Sequence, residues 1–181
     1  MRIGLIRHFK VVHPSTGKWM TPQQFNQWVE GYNVGALAPP QELPPLHAEW
    51  SYCLSSDLQR ACETAKAVWP QEFQSTDQLR EIEIAAVFHW PIKLPLYVWL
   101  ILGRIAWYIS HRSQAETRQE TAHRAKRLVD QIESGPRADV LLVTHGAFMK
   151  VLRKELHRRG YAGDYFFTPA NGRLYTFENK S

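Results

Sequence analysis

The chain has 181 residues, 44% of them apolar and 22% charged. These proportions suit one packed domain and exclude the polar, aromatic-poor composition of a disordered chain. Lys and Arg outnumber Asp and Glu by 22 to 17, a net charge of +5, which favours anionic partners: phosphorylated molecules, nucleic acid or acidic membranes. Cys53 and Cys62 have the spacing of neither a metal site nor a disulfide framework. The first residues run straight into an apolar strand pattern instead of a signal peptide, so a reducing, cytoplasmic setting is expected.

Residues 2–6 form a short apolar run suited to a buried strand, followed by a Pro-, Ser- and Gly-containing loop at 13–18. Thr21, Pro22 and Gln24 then spell a capping box with proline at the first helical position. Phe25, Trp28, Val29 and Tyr32 recur at helical spacing behind it. Four prolines between 35 and 45 exclude a regular element. Residues 50–56 read as a second strand, with Asp57 capping a helix that carries Leu58, Ala61, Cys62, Ala65, Val68 and Trp69 on one face. Residues 70–95 read as mostly irregular. A helix is predicted over 96–110, and "SQAE" (113–116) is read as a capping box opening a long charged helix to about residue 134, stopped by Gly135 and Pro136.

Residues 139–145 are the clearest buried strand, 146–160 a helix ended by glycine, and 173–178 an alternating final strand placed on a sheet edge. Strands alternating with helices predict an α/β fold, three layers α/β/α around a mostly parallel sheet, with the whole chain as one domain. The apolar stretch 94–109 is interrupted by Arg104 and is shorter than the roughly 20 residues a spanning helix needs. A buried or partly exposed helix is expected there, and no membrane span.

In such folds, ligands sit where strands lead into helices. Arg7 and His8 follow strand 2–6, Arg60 lies in the first turn after strand 50–56, and His145 ends the strand over 139–144. Two guanidinium forks match phosphate oxygens, and the helix amino termini nearby favour an anion. A neutral imidazole can attack phosphorus and hold the phosphoryl group covalently, while a second, protonated histidine can stabilise the transition state. Lys10, His13 and Lys18 add positive charge near the mouth of such a pocket.

The same residues carry a resemblance. "LIRHF" resembles the strand and Arg-His motif of the histidine phosphatase superfamily, the phosphoglycerate mutase-like fold. "SSDLQRACETA" (55–65) resembles its second signature, "LREIE" (79–83) its Leu-x-Glu segment and "VLLVTHGAFMKVL" (140–152) its strand ending in His-Gly, all in the family's order. The resemblance implies that His8 is the nucleophile, that Arg7, Arg60 and His145 line the phosphate pocket, and that Glu81 protonates the leaving alcohol from a carboxyl of raised pKa. Glu83, two residues on, is its rival. It further implies a metal-independent phosphatase with no cofactor, acting on a phosphorylated small molecule or on a phosphohistidine protein. The alternatives are a catalytically silent phosphate-binding module and, from charge alone, a nucleic-acid binder. The last lacks a binding motif, so no nucleic-acid partner is expected.

Two departures stand out. Phe9 occupies the place where the family usually has glycine, and nothing after Glu83 resembles the family's Gly-x-Trp-Glu-Gly continuation. The aromatic segment 84–110, with Trp90 as a candidate substrate contact, is expected to form a cap or wall over the site, or else an aromatic core beneath a helix.

Overall fold

A computed structural model describes residues 1–14, 19–40, 42–46 and 50–179; Lys18 and most of the loop at 13–18 lie outside them. Strands β1 (Arg2–Arg7), β3 (Tyr52–Ser56), β4 (Gln74–Thr76) and β6 (Val140–Thr144) pair in parallel in the order β4-β3-β6-β1. The sheet continues antiparallel through β8 (Leu174–Glu178) to the two-residue β7 (Ala162–Gly163). The final strand is therefore not the edge: β7 covers it. A further pair, β2 (Trp19–Met20) with β5 (Leu94–Pro95), joins helix α1 (Pro22–Asn33) to helix α3 (Leu96–Tyr108).

Buried apolar side chains explain the layers. Ile3, Leu5, Val140 and Leu142 face helices α4 (Arg118–Ser134) and α5 (Gly146–Arg158), meeting Leu128, Val129, Phe148 and Leu152. Ile6, Leu141 and Val143 face the other way onto Ala61, Ala65 and Val68 of α2 (Gln59–Val68). Strand side chains alternate between faces, so one run without polar residues serves two helical layers. A third cluster lies between α1 and α3, where fully buried Trp99 stacks on Phe25 at 5.6 Å and donates from Nε1 to the Met20 carbonyl at 2.8 Å. Trp99 and Phe88 thus belong to an aromatic core beneath α3.

Two local expectations are corrected. The capping box at Thr21 and Gln24 forms, but α4 starts four residues after the expected box, with Thr117 and Glu120 capping it. Glu116 is held by Arg124 at 2.8 Å, and the Gln114 amide pairs with both backbone groups of Ala85. Asp57 does not cap α2; its carboxylate takes the Arg80 fork at 2.7 and 2.5 Å. A bidentate ion pair satisfies two oxygens at once, which outcompetes a single cap bond. Residues 70–95 are mostly irregular, as expected, with β4, a short 3₁₀ turn at Asp77–Leu79 and β5 as their regular pieces.

Candidate active site

Because β3, β6 and β1 are parallel neighbours, their carboxyl ends open on the same side of the sheet. Arg7, His8, Arg60 and His145 meet there. The His8 and His145 rings lie 5.0 Å apart, and Arg60 donates from Nε to His145 Nδ1 at 3.2 Å. Arg60 is positioned by the end of α1: Nη1 donates to Asn33 Oδ1 at 3.0 Å, and the guanidinium lies 5.5 Å from the Tyr32 ring centroid. Arg7 donates from Nη1 to the Pro169 carbonyl at 2.9 Å, while its buried Nε has no protein partner. Gly146 opens α5 at the point where a Cβ would stand 3.1 Å from the Arg7 guanidinium. The absent side chain lets the guanidinium lie against the helix amino terminus.

The hydrogen bonds settle both ring tautomers. His8 Nδ1 lies 2.6 Å from the Phe9 carbonyl; a carbonyl only accepts, so Nδ1–H donates and the neutral ring keeps its lone pair on Nε2. Arg60 only donates, so His145 Nδ1 accepts and its ring proton sits on Nε2, a buried atom without a protein partner. One ring offers a lone pair and the other an unsatisfied donor. His145 therefore needs no positive charge to donate, and burial first, then Arg60 and His8, hold its pKa well below 6.5.

His8 is 2% exposed. Burial, then the Arg60 charge, lowers its pKa from 6.5 to about 4. An unfolded chain binds this proton near 6.5 and the folded chain only near 4, so the unfolded state holds more protons between those values. The stabilisation from a neutral His8 is complete above pH 6.5 and lost as pH falls toward about 4, by ~3 kcal/mol. His8→Asn is expected to flatten that part of the acid slope in denaturant titrations across the window. A slope unchanged by the substitution would place the titration elsewhere.

Phe9 fits without the glycine the family usually has. Among the described residues Ser110 is the only non-glycine with positive φ, so Phe9 needs no glycine conformation. Its backbone carries the site contacts, accepting from His8 and donating to Thr64 Oγ1 at 2.9 Å, and its ring, 4% exposed, packs among Ile6, Trp50 and Cys53. The glycine is needed elsewhere: Gly172, at φ +70, would place a Cβ 2.9 Å from the Phe9 ring. Phe9→Ala is expected to cost about 3 kcal/mol in denaturant unfolding while leaving kcat within a few-fold, because the backbone bonds remain.

Glu81 comes in from the turn after β4. Thr144 Oγ1 donates to the Leu79 carbonyl at 2.7 Å, and Arg124 donates to the Gln78 and Arg80 carbonyls, each at 2.8 Å, fixing that turn. The Glu81 carboxylate accepts from Ala147 N at 3.2 Å, Phe148 N at 3.0 Å and its own neighbour Ile82 N at 2.9 Å. Burial pushes its pKa up, but Arg104 and these N–H groups outweigh it and hold the carboxyl below the usual range. The pKa is thus lowered, not raised as expected from the sequence. Glu83 is exposed, whereas Glu81 sits on the first turn of α5 beside His145.

Lys10 is exposed and lines a cleft of about 610 Å³ together with Trp19, Trp28, Tyr32, Tyr97, Leu100 and Asn171. The cleft reaches the histidine pocket through two shared residues. Tyr32 lies over Arg60, and Asn171 Nδ2 donates to the His8 carbonyl at 2.6 Å. Trp90 is not brought there; it is 74% exposed and lines a separate depression with Phe88, His89 and Arg112. Sequence reading missed Asn33, Pro169 and Asn171 and gave no role to Thr64, although Thr64 lies in the signature at 55–65. Of the three missed residues, only Asn171 carried a signal, the Asn-Gly turn dipeptide at 171–172.

A family model for the histidine phosphatase superfamily (branch 1) matches residues 41–180. Among curated proteins no sequence matches. Among solved structures, the alpha-ribazole phosphatase from Shigella flexneri superposes with a TM-score of 0.59 at 17% identity, covering 99% of this chain and 92% of that one. A phosphoserine phosphatase from Entamoeba histolytica gives 0.54 at 17%, covering 97% and 89%. A mycobacterial glucosyl-3-phosphoglycerate phosphatase gives 0.54 at 18%, covering 97% and 88%. These likenesses are of fold. The family match spans most of the sequence, and with it the chain belongs to the histidine phosphatase superfamily, branch 1, and is a phosphatase.

Proposed function

We propose that the chain hydrolyses phosphomonoesters without a metal, through a phosphohistidine on His8. The observation that carries this reading is the pair of fixed tautomers: a buried neutral His8 with its lone pair on Nε2, facing a neighbouring ring whose Nε2–H lacks a partner. Arg7, Arg60 and His145 hold the phosphoryl oxygens. Nε2 forms a bond to phosphorus as the bond to the ester oxygen breaks, and the leaving oxygen takes a proton from Glu81. Glu81 rests as a carboxylate, so it must gain that proton as the substrate dianion arrives, which like-charge repulsion favours. Water then attacks phosphorus, gives a proton back to Glu81, and the N–P bond breaks to release phosphate and neutral His8.

The leaving group occupies the cleft beside Lys10, where Tyr97 and Leu100 of the 84–110 segment supply one wall; Trp90 has no part in it. The chain acts as one domain. The named relatives act on small phosphorylated metabolites, and the cleft volume suits such a molecule better than a folded phosphoprotein. The test is acid quenching during turnover of an aryl phosphate with a chelator present. An acid-labile phosphoenzyme mapped to His8 is expected. Label on His145, or activity lost to the chelator, overturns the reading, and a broad substrate panel without turnover leaves a phosphate-binding module in its place.

A further inference from the structure

Helix α3 buries one side and leaves the other bare. Trp99, Gly103 and Ala106 face the interior. Tyr97, Ile101, Ile105 and Tyr108, at successive intervals of four, four and three residues, are 65, 55, 52 and 57% exposed. That spacing makes one continuous stripe along the helix. Ile109 extends it at one end. Isolated exposed apolar residues need no explanation, but a contiguous apolar face marks an interaction surface.

The charge around this face has one sign. From residue 84 to residue 115 there is no Asp or Glu, while Lys93, Arg104 and Arg112 are present. Arg118 lies 4.3 Å from the Tyr108 ring centroid. Beside the carboxyl-terminal half of the helix runs a groove of about 900 Å³ lined by Arg104, Arg118, Lys126, Lys150, Lys154 and Arg158. The lone carboxylate in its lining, Glu155, is already engaged by Arg158 and Arg159. Basic residues that lie far apart in the sequence thus share one surface.

We propose that the outer face of α3 and its basic groove dock the protein on an anionic lipid surface. Isoleucines that enter the upper acyl region, tyrosines at headgroup level and a cationic flank are the composition of a segment lying in the interface plane. At 13 residues, or about 20 Å, α3 is too short to cross the roughly 30 Å hydrocarbon core. No described helix is long and apolar enough to do so, so the helix lies on the bilayer. A second copy is a poorer occupant, because pairing α3 faces would bring two cationic rims together without carboxylates to answer them. Nucleic acid would use the cations and leave the isoleucines idle. The proposal does not depend on how the histidine pocket works.

The full chain is mixed with vesicles of phosphatidylcholine alone or with about one-third phosphatidylglycerol, and bound protein is measured by sedimentation. Binding to the anionic vesicles, absent from neutral ones and weakened by high salt, is expected. A double variant, Ile101→Ser with Ile105→Ser, should weaken it on the order of tenfold at an unchanged melting temperature. A second variant, Lys150→Glu with Lys154→Glu, should do the same through charge alone. Failure to bind anionic vesicles overturns the proposal, as does binding that ignores the isoleucines. Concentration-dependent dimers broken by the serine variant, without vesicle binding, would assign the face to a second copy and equally overturn it.

Discussion

His8→Ala is expected to lower kcat on a phosphomonoester by at least about 10⁴-fold, with no phosphoenzyme on acid quenching. The size follows from the division of labour. Arg60 and His145 are tied to each other at 3.2 Å and Arg60 to Asn33 at 3.0 Å, none of them through His8, so the variant keeps an anion pocket and retains affinity for inorganic phosphate. What disappears is the lone pair that converts one hard displacement into two. Phosphate affinity preserved with turnover lost, measured by calorimetry and steady-state kinetics, is therefore the expected combination. A variant that turns over within tenfold of the parent would mean that water attacks the ester directly in this pocket. Since no step is assigned to a metal, a chelator should leave the parent's rate unchanged.

What was legible in the sequence has a common physical origin: it is local. The run at 2–6, the capping box at Thr21 and Gln24, the apolar strand at 140–144 and the glycine at 160 each act within a few residues, and each forms. The failures are competitions with distant partners. Ser113 and Thr117 both begin a Ser/Thr-x-x-Glu pattern, and the choice falls to Thr117 because Arg124 and Ala85 engage Glu116 and Gln114. Asp57 is a good cap in isolation, but Arg80 is 23 residues away and brings a fork. Strand β4 is three residues long and exists by pairing with β3.

The site follows the same rule. Arg7, His8, Arg60 and His145 were readable as candidates because each ends or begins a local element, whereas Glu81 was named only because the "LREIE" segment resembles a family motif. The groups that fix their geometry were not, since Asn171 reaches His8 across 163 residues and Thr64 reaches Phe9 across 55. Phe9 looked like a defect for the same reason: the glycine that accommodates it is Gly172. Exposure on α3 was equally hidden, because an apolar helix reads alike whether one or both of its faces are covered.

Glu81→Gln is expected to show a dependence on the leaving group that no structural role would produce. An alkyl alcohol leaves as a strong base and needs a proton, whereas a nitrophenolate leaves without one. General acid catalysis contributes about 10²–10⁴-fold when it is needed. The variant should therefore lose about 10²-fold or more in kcat/KM on alkyl phosphates and much less on a nitrophenyl phosphate, provided phosphoryl transfer to His8 limits both. Glutamine replaces a carboxylate that accepts from Ile82, Ala147 and Phe148, and an amide nitrogen cannot accept. One of these bonds is lost, so a stability decrease of about 1 kcal/mol should accompany the kinetic effect, but that loss is common to every substrate and cannot sort them by leaving group. Glu83→Gln supplies the comparison: at an exposed position it should change neither ratio. If Glu83→Gln instead produced the leaving-group dependence and Glu81→Gln only the uniform loss, Glu81 would be the residue that braces the start of α5 and Glu83 the proton donor.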